Sequence, residues 1–341
     1  MASDDIYQIK GLEHSFGKEP VLRVDSLKIP PAAIVGLIGP NGSGKSTLLN
    51  LLGFIMAPTR GDILFKGRPA VPFSGDVRFR VTLLDQEPYL LRRSVARNIS
   101  YGLELRGDRE QLQDRIAAAL DWVGLPEKEF SGRQWYELSG GEAQRVALAA
   151  RLGLQPEVLL LDEPIASVDA ASAERIKAAT LRARSEWGTT LVIASHDWQW
   201  LYEVCDVVLH LFKGRMFGQE RINIVFGPWQ PRGDGTWQKI LADGQAIVVP
   251  PPPKPAAVAV FTDAEIAPDT GDSPPVSHSG VLNGVVSRLI LERDGRDVIA
   301  VVQVDQLPIT VKLTRQAVEK RQLYPGRQIG ILLRSDRAVW I

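Results

Sequence analysis

Two short segments carry side chains able to handle a phosphate ester. The first is Gly39-Pro40-Asn41-Gly42-Ser43-Gly44-Lys45-Ser46, with Thr47 behind it. Its spacing is that of a phosphate-cradling loop, in which glycines frame a lysine and a hydroxyl. Glycines let the backbone curl until successive N–H groups point inward at phosphate oxygens. A helix opening at Lys45 adds the partial positive charge of its N-terminus. Lys45 is expected on the β- and γ-phosphates and Ser46 on Mg²⁺. The second segment is Asp162-Glu163, directly after Leu159-Leu160-Leu161. Asp162 suits a contact in the outer shell of Mg²⁺. Glu163 suits the base that orients a water in line with a γ-phosphate. A polar strand cap accounts for the pair alone; with the loop upstream, the hydrolytic reading is the stronger.

These groups need rigid elements behind them. Ile34-Val35-Gly36-Leu37-Ile38 reads as a buried strand feeding the loop, and 45–54 as the helix that leaves it. Residues 158–161 and 190–194 are further apolar runs without alternation. Such strands, separated by helices, indicate a parallel sheet covered on both faces, with ligands at the strands' C-terminal ends. Residues 109–123 and 141–153 have helical composition.

Composition narrows the classes. The 341 residues predict about two domains. Forty Lys and Arg balance forty Asp and Glu, so a strongly basic nucleic-acid binder is not expected. Cys205 is the single cysteine, which excludes an internal disulfide and a multi-cysteine metal site and fits a reducing compartment. The start, Met1-Ala2-Ser3-Asp4-Asp5, lacks the regions of a signal peptide. No run approaches the ~20 apolar residues of a membrane span, so any membrane role is expected to come through a partner.

Between the two phosphate-handling segments lies Leu138-Ser139-Gly140-Gly141-Glu142-Ala143-Gln144-Arg145. Together with the loop, it resembles the signature motif of ATP-binding-cassette (ABC) ATPases. Gln86 matches that family's Q-loop, Ala166-Ser167-Val168-Asp169 its D-loop, His196 its switch histidine, and Phe16 its aromatic under adenine. The resemblance covers about residues 6–225. It implies a head-to-tail homodimer in which each ATP lies between the phosphate loop of one chain and the signature of the other. Phe16, Gly39, Asn41, Gly42, Gly44, Lys45, Ser46, Thr47 and Asp162 would hold nucleotide from one chain. Ser139, Gly140, Gly141, Gln144 and Asp169 would serve it from the signature and D-loop. Glu163, His196 and Gln86 would be catalytic, with Ser46, Gln86 and Asp162 around Mg²⁺. Three positions depart from the family pattern: Phe16 replaces the commoner tyrosine, Pro30-Pro31-Ala32 stands where Gly-Glu is frequent, and the D-loop has Val168 for leucine and Ala-Ser for Ser-Ala.

The resulting fold expectation is α/β: a P-loop NTPase cassette with a helical subdomain over 1–225, then a small all-β domain over 281–341. The proline run Pro250-Pro251-Pro252-Pro253-Lys254-Pro255 reads as a stiff spacer inside a linker over 226–280, with 223–249 a candidate degenerate first barrel copy. Asp269 to Gly280 reads as a loop. The tail resembles the TOBE (OB-like) domain of bacterial importer ATPases, through Leu282-Asn283-Gly284-Val285-Val286 and Leu323-Tyr324-Pro325-Gly326. Ser287-Arg288, Lys312, Thr314-Arg315 and Arg334-Ser335 are candidate donors for a dianion there, against a solvated surface that only helps dimerisation.

Residues 83–95 and 98–103 are similar to ATPases of tungstate and molybdate importers. Those importers imply a membrane permease, a separate extracytoplasmic solute-binding protein, and a peripheral place on the cytoplasmic face of the cell membrane. Sulfate, polyamine, iron or sugar import is the alternative cargo. An exporter, or a soluble ABC ATPase acting on DNA or ribosomes, fits less well, because the chain has one phosphate loop, no fused membrane helices and no coiled-coil insertion.

Overall fold

Strand Val158–Asp162 is buried along its whole length, as an unbroken apolar run requires. The computed structural model describes residues 5–218, 221–269, 279–292 and 295–341. Contacts divide the chain into two units, Met1–Met216 and Phe217–Ile341.

In the first unit, Val158–Asp162 lies between Val81–Leu84 and Thr190–Ala194, and Ile34–Ile38 lies between Thr190–Ala194 and Val207–Phe212, all parallel. The pleat sends alternate residues to opposite faces. Val158 and Leu160 join a core with Leu48, Leu49 and Leu52 of the helix Lys45–Leu52. Leu159 and Leu161 join another with Val146 and Leu148 of the helix Gly140–Leu152. The α/β expectation holds for this half. The other half of the ten-stranded sheet is mainly antiparallel: Tyr7–Ser15 pairs with Pro20–Ile29 and with Arg60–Phe65, while Arg215–Met216 runs parallel to Pro20–Ile29.

Helices Val95–Leu105, Leu112–Trp122 and Gly140–Leu152 form the helical part. Its entry is pinned by buried Asn98. The Asn98 side chain accepts from Leu91 N at 2.7 Å and donates to the Leu91 and Ser94 carbonyls at 3.1 Å. No helix among the described residues is long and apolar enough to cross a membrane.

In the second unit, Ile222–Phe226 pairs with Val258–Thr262, which pairs with Val339–Trp340. Trp237–Ile240 and Ala246–Val249 form a hairpin. A five-stranded sheet runs Ile266–Pro268, Gln328–Arg334, Ser279–Leu291, Asp297–Val304, Leu307–Thr314. The region is all-β apart from the short helix Arg315–Lys320 and single turns. The expected linker is corrected here. Trp229, Ile247, Phe261 and Ile266 share one core with Ala300, Val302 and Ile331, so the described part of 226–280 belongs to the β unit, which begins at Phe217. The proline run joins two strands of that unit; it reports extended chain, not a boundary. Residues 270–278 of the expected loop lie outside the described residues.

Tyr7 ties the phosphate-loop helix to the antiparallel half. Its hydroxyl donates to the Leu52 carbonyl at 2.8 Å, fully buried. Burial pushes the phenol well above its ordinary range, so it stays a donor. Tyr7→Phe leaves that carbonyl without its donor and is expected to cost about 1–2 kcal/mol. Urea unfolding checks this: the midpoint should fall with the slope unchanged.

Candidate functional site

The phosphate loop is shaped by what its glycines permit. Gly42 and Gly44 have φ of 76° and 103°, a region that costs side chains with a Cβ. A Cβ on Gly39 would stand 2.1 Å from the Leu211 carbonyl oxygen and 2.6 Å from Ser43 Oγ. Lys45, 7% exposed, donates through Nζ to the carbonyls of Gly39 at 2.7 Å and Pro40 at 3.3 Å. The lysine thus holds its own loop closed from inside.

Around the loop is an open cavity of about 420 Å³. Phe16, Asn41, Gly42, Gly44, Lys45, Ser46, Thr47, Gln86, Asp162 and Glu163 line it, with Val21 and Ser43. The size suits a ligand largely enclosed in a cleft. Two of its charges are costly where they stand. Burial pushes the Asp162 carboxyl up, against a hydrogen bond with Ser46 that pulls it down; Asp85 and Glu163 add repulsion and Lys45 relieves some of it. Burial pulls the Lys45 ammonium down, opposed by Glu163 and Asp162. A raised carboxyl takes up a proton on folding, so its contribution to stability is present below the ordinary Asp value of 3.8 and is lost as pH rises through the raised value. A lowered lysine works in the opposite sense: its penalty is felt below the depressed value and disappears as pH rises toward 10.5.

The donor set fits Mg²⁺. The Ser46 hydroxyl, the Gln86 amide and the Asp162 carboxylate offer hard oxygens among the lining residues, and Ser46 already bonds to Asp162. No group of three His, Cys, Asp or Glu poised for a metal occurs among the described residues. A hard cation here would complete its shell with ligand phosphates and water.

Glu163 sits at φ 44°, a strained position for a residue with a side chain. Its backbone N–H donates to the Ala194 carbonyl at 2.9 Å. Its Oε2 lies 2.8 Å from His196 Nδ1 and accepts from His196 N at 3.2 Å. The carboxylate is 8% exposed while the imidazole is 68% exposed. Two of the three predicted catalytic groups, Glu163 and His196, are therefore bonded to one another.

The signature residues stand apart from this cavity. Ser139 caps the helix Gly140–Leu152: its Oγ accepts from Glu142 N at 3.3 Å, and Glu142 Oε2 accepts from Ser139 N at 2.8 Å. The Ser139 backbone N–H is the main cause holding the Glu142 carboxyl below its usual range. Ser139 and Gly140 are exposed. Gly141 is buried under the next helix, where a Cβ would meet Ser172 Oγ at 2.7 Å and Asp169 Oδ2 at 2.9 Å. Asp169 caps that helix, accepting from Ser172 N at 2.9 Å. Gln144 departs from its expected nucleotide contact. It is 3% exposed, and its amide donates to the Pro164 carbonyl at 3.4 Å. None of Ser139, Gly140, Gly141, Gln144, Asp169 or His196 lines the cavity.

Sequence reasoning missed Ser43, Val21 and Asp85. Ser43 lies within the phosphate loop itself. Asp85 adjoins Gln86 and accepts its backbone N–H at 2.8 Å. Several of the candidate oxyanion donors of the tail have partners within the protein. Lys312 pairs with Asp297 at 2.8 Å and Glu292 at 3.2 Å. Ser287 donates to the Val301 carbonyl and Arg315 to Glu319. Thr314 caps a helix and Ser335 is fully buried.

A family model described as ABC transporter matches residues 22–166. The tungstate uptake system ATP-binding protein TupC of Peptoclostridium acidaminophilum is 37% identical over 209 residues, covering 61% of this chain and 95% of that one. The sulfate/thiosulfate import ATP-binding protein CysA of Gloeobacter violaceus is 28% identical over 332 residues, covering 96% and 94%. Among solved structures, a dimeric ATP-binding cassette in a post-hydrolysis state, bound to ADP and Pi, superposes with a TM-score of 0.57 at 26% identity. That match covers 62% of this chain and 96% of the other.

Asp162→Asn keeps the shape of the carboxylate and removes its charge. The nucleotide-free variant should melt above the parent at pH 7, with the gap closing toward pH 4, while the rise in melting temperature given by ATP and Mg²⁺ should shrink. A variant that melts below the parent at pH 7 would contradict the electrostatic reading.

Proposed function

Because the chain belongs to the ATP-binding proteins of ABC transporters, ATP hydrolases coupled to transport, we propose that it energises import through a membrane permease, with tungstate or molybdate as cargo. The observation that carries the reading is the split site. The phosphate loop, Gln86, Asp162 and Glu163 share one cavity, while the capped helix end at Ser139 is exposed and lies outside it. Each chain then holds two half-sites, and a head-to-tail homodimer joins unlike halves around each ATP. The dimeric relative supports this.

Within one half-site, Lys45 exchanges the Gly39 and Pro40 carbonyls for β- and γ-phosphate oxygens. The backbone N–H groups of Asn41 to Thr47 cradle the phosphates, and the Phe16 ring carries the base. Ser46, Gln86 and Asp162 would hold Mg²⁺, which would neutralise charge on the phosphates when bound. Glu163 accepts a proton from the attacking water. A neutral His196 donates Nδ1–H to Glu163; reaching a γ-phosphate oxygen through Nε2 requires the imidazolium form, with Glu163 as its counter-charge. From the other chain, Ser139 and the N–H groups of Gly140 and Gly141 offer a helix N-terminus to the γ-phosphate. Asp169 orders that end through its contacts beneath Gly141.

The Q-loop and residues 83–103 would meet the permease, at the cytoplasmic face of the cell membrane, and a separate solute-binding protein would deliver the cargo from outside. The similarity of residues 83–103 and the TupC relative support tungstate or molybdate. A second reading, sulfate or thiosulfate, rests on the CysA alignment, which runs through both units. The same alignment supports a TOBE-like identity for the β unit. All these cargoes are oxyanions.

Deleting the gene and following tungstate, molybdate and sulfate uptake by mass spectrometry tests the cargo. Loss of tungstate or molybdate uptake alone is expected; loss of sulfate uptake alone selects the second reading. For the mechanism, Lys45→Ala should lose ATP binding. Glu163→Gln should bind ATP, hydrolyse it at least a hundredfold more slowly, and accumulate as a dimer in sedimentation; a monomer under ATP and Mg²⁺ would refute the shared site.

A further inference from the structure

Just ahead of the Ser139 helix, the 3-10 turn Trp135–Glu137 sets two aromatic rings in solvent. Trp135 is 37% exposed and Tyr136 68%. The rings meet edge to face, with centroids 6.0 Å apart at 86°. The turn that carries them is fixed. Glu137 Oε2 accepts from Gln134 N at 2.5 Å. Glu137 N donates to the Gln134 carbonyl at 2.9 Å, and Trp135 N to the Arg93 carbonyl at 3.1 Å. Large amphipathic rings held rigidly in water are the usual material of interfaces.

The nucleotide cavity has the complementary deficit. Phe16 is 64% exposed at its rim, and among the lining residues only Val21 adds another bulky apolar side chain. One chain therefore offers a base a single ring to lie on and leaves the opposite face of that base to water.

We infer that Tyr136, backed by Trp135, closes over the base bound at Phe16 of a second copy. The inference rests on the head-to-tail reading above and extends it from the phosphates to the base. Continuity argues for this occupant: the turn runs straight into the exposed helix end at Ser139. Three residues of extended chain span at most about 10 Å, comparable with the separation between the γ-phosphate of ATP and its base. A base would then lie between Phe16 of one chain and Tyr136 of the other. Stacking of this kind tolerates any base, so it would add affinity to the dimer without adding choice of nucleotide.

The test uses full-length Glu163→Gln protein with ATP and Mg²⁺. It reads dimerisation by sedimentation and ATP affinity of the dilute monomer by calorimetry. Tyr136→Ala should weaken dimerisation about a hundredfold, roughly tenfold for each of the two stacks lost per dimer, with monomer affinity unchanged, and Tyr136→Phe should restore it. In a Phe16→Ala background the Tyr136→Ala loss should shrink to threefold or less, because the two rings act on one base. Unchanged dimerisation in Tyr136→Ala overturns the inference and leaves the shared site intact. Equal losses with and without Phe16 also overturn it, and assign the rings to a contact between protein chains. Failure of the Glu163→Gln parent to dimerise removes the head-to-tail reading itself, and the inference with it.

Discussion

A parallel strand buried on both faces has no side on which to place chemistry, so its functional groups must stand at its end. Ile34–Ile38 runs into Gly39 and the loop. Val81–Leu84 runs into Asp85 and Gln86. Val158–Asp162 ends in the acidic pair, and Thr190–Ala194 in Ser195 and His196. Parallel pairing aligns these ends in register, with Leu161 beside Ile193 and Leu84, and Leu37 beside Ala194. One packing requirement thereby brings together residues scattered over more than 150 positions of sequence.

The site so assembled is not built for its own comfort. Burial disfavours the ionised forms of both Lys45 and Asp162, and Glu163 sits in strained backbone. Such features persist because the surrounding structure over-determines them. The two cores that grip strand Val158–Asp162 from opposite faces, and the Tyr7 bond to the loop helix, are that structure. A polyanion with a hard cation relieves what the protein's own groups cannot.

How much of this was legible depended on whether the signal was local. Unbroken runs such as Leu159-Leu160-Leu161 announce a strand covered on both sides, and the glycines of the loop announce its turn. The antiparallel half was not announced. Along Tyr7–Ser15 the burial alternation breaks at Gly11, at φ 56°, and the register shifts between His14 and Ser15. Gln144 shows a signal available but unused: with Gly141, Leu148 and Leu152 it repeats at helical spacing on the buried face, which withdraws it from solvent. Lys312 shows the reverse. Its cationic type is plain in sequence, but Glu292 and Asp297, which neutralise it, reach it only through strand pairing.

That neutralising group has a consequence for where the chain can be cut. Arg221, 5% exposed, pairs with Asp263 at 2.9 Å and with Glu292, and Glu292 pairs in turn with Lys312. A guanidinium left buried without its carboxylates is penalised by several kcal/mol. Any ending of the chain between Arg221 and Glu292 would remove at least one of these two carboxylates. A truncation or gene fusion inside that span breaks this group, whereas the junction at Met216–Phe217 lies outside it. A cassette that carries such a unit must extend at least through Glu292 to keep the buried guanidinium between both carboxylates.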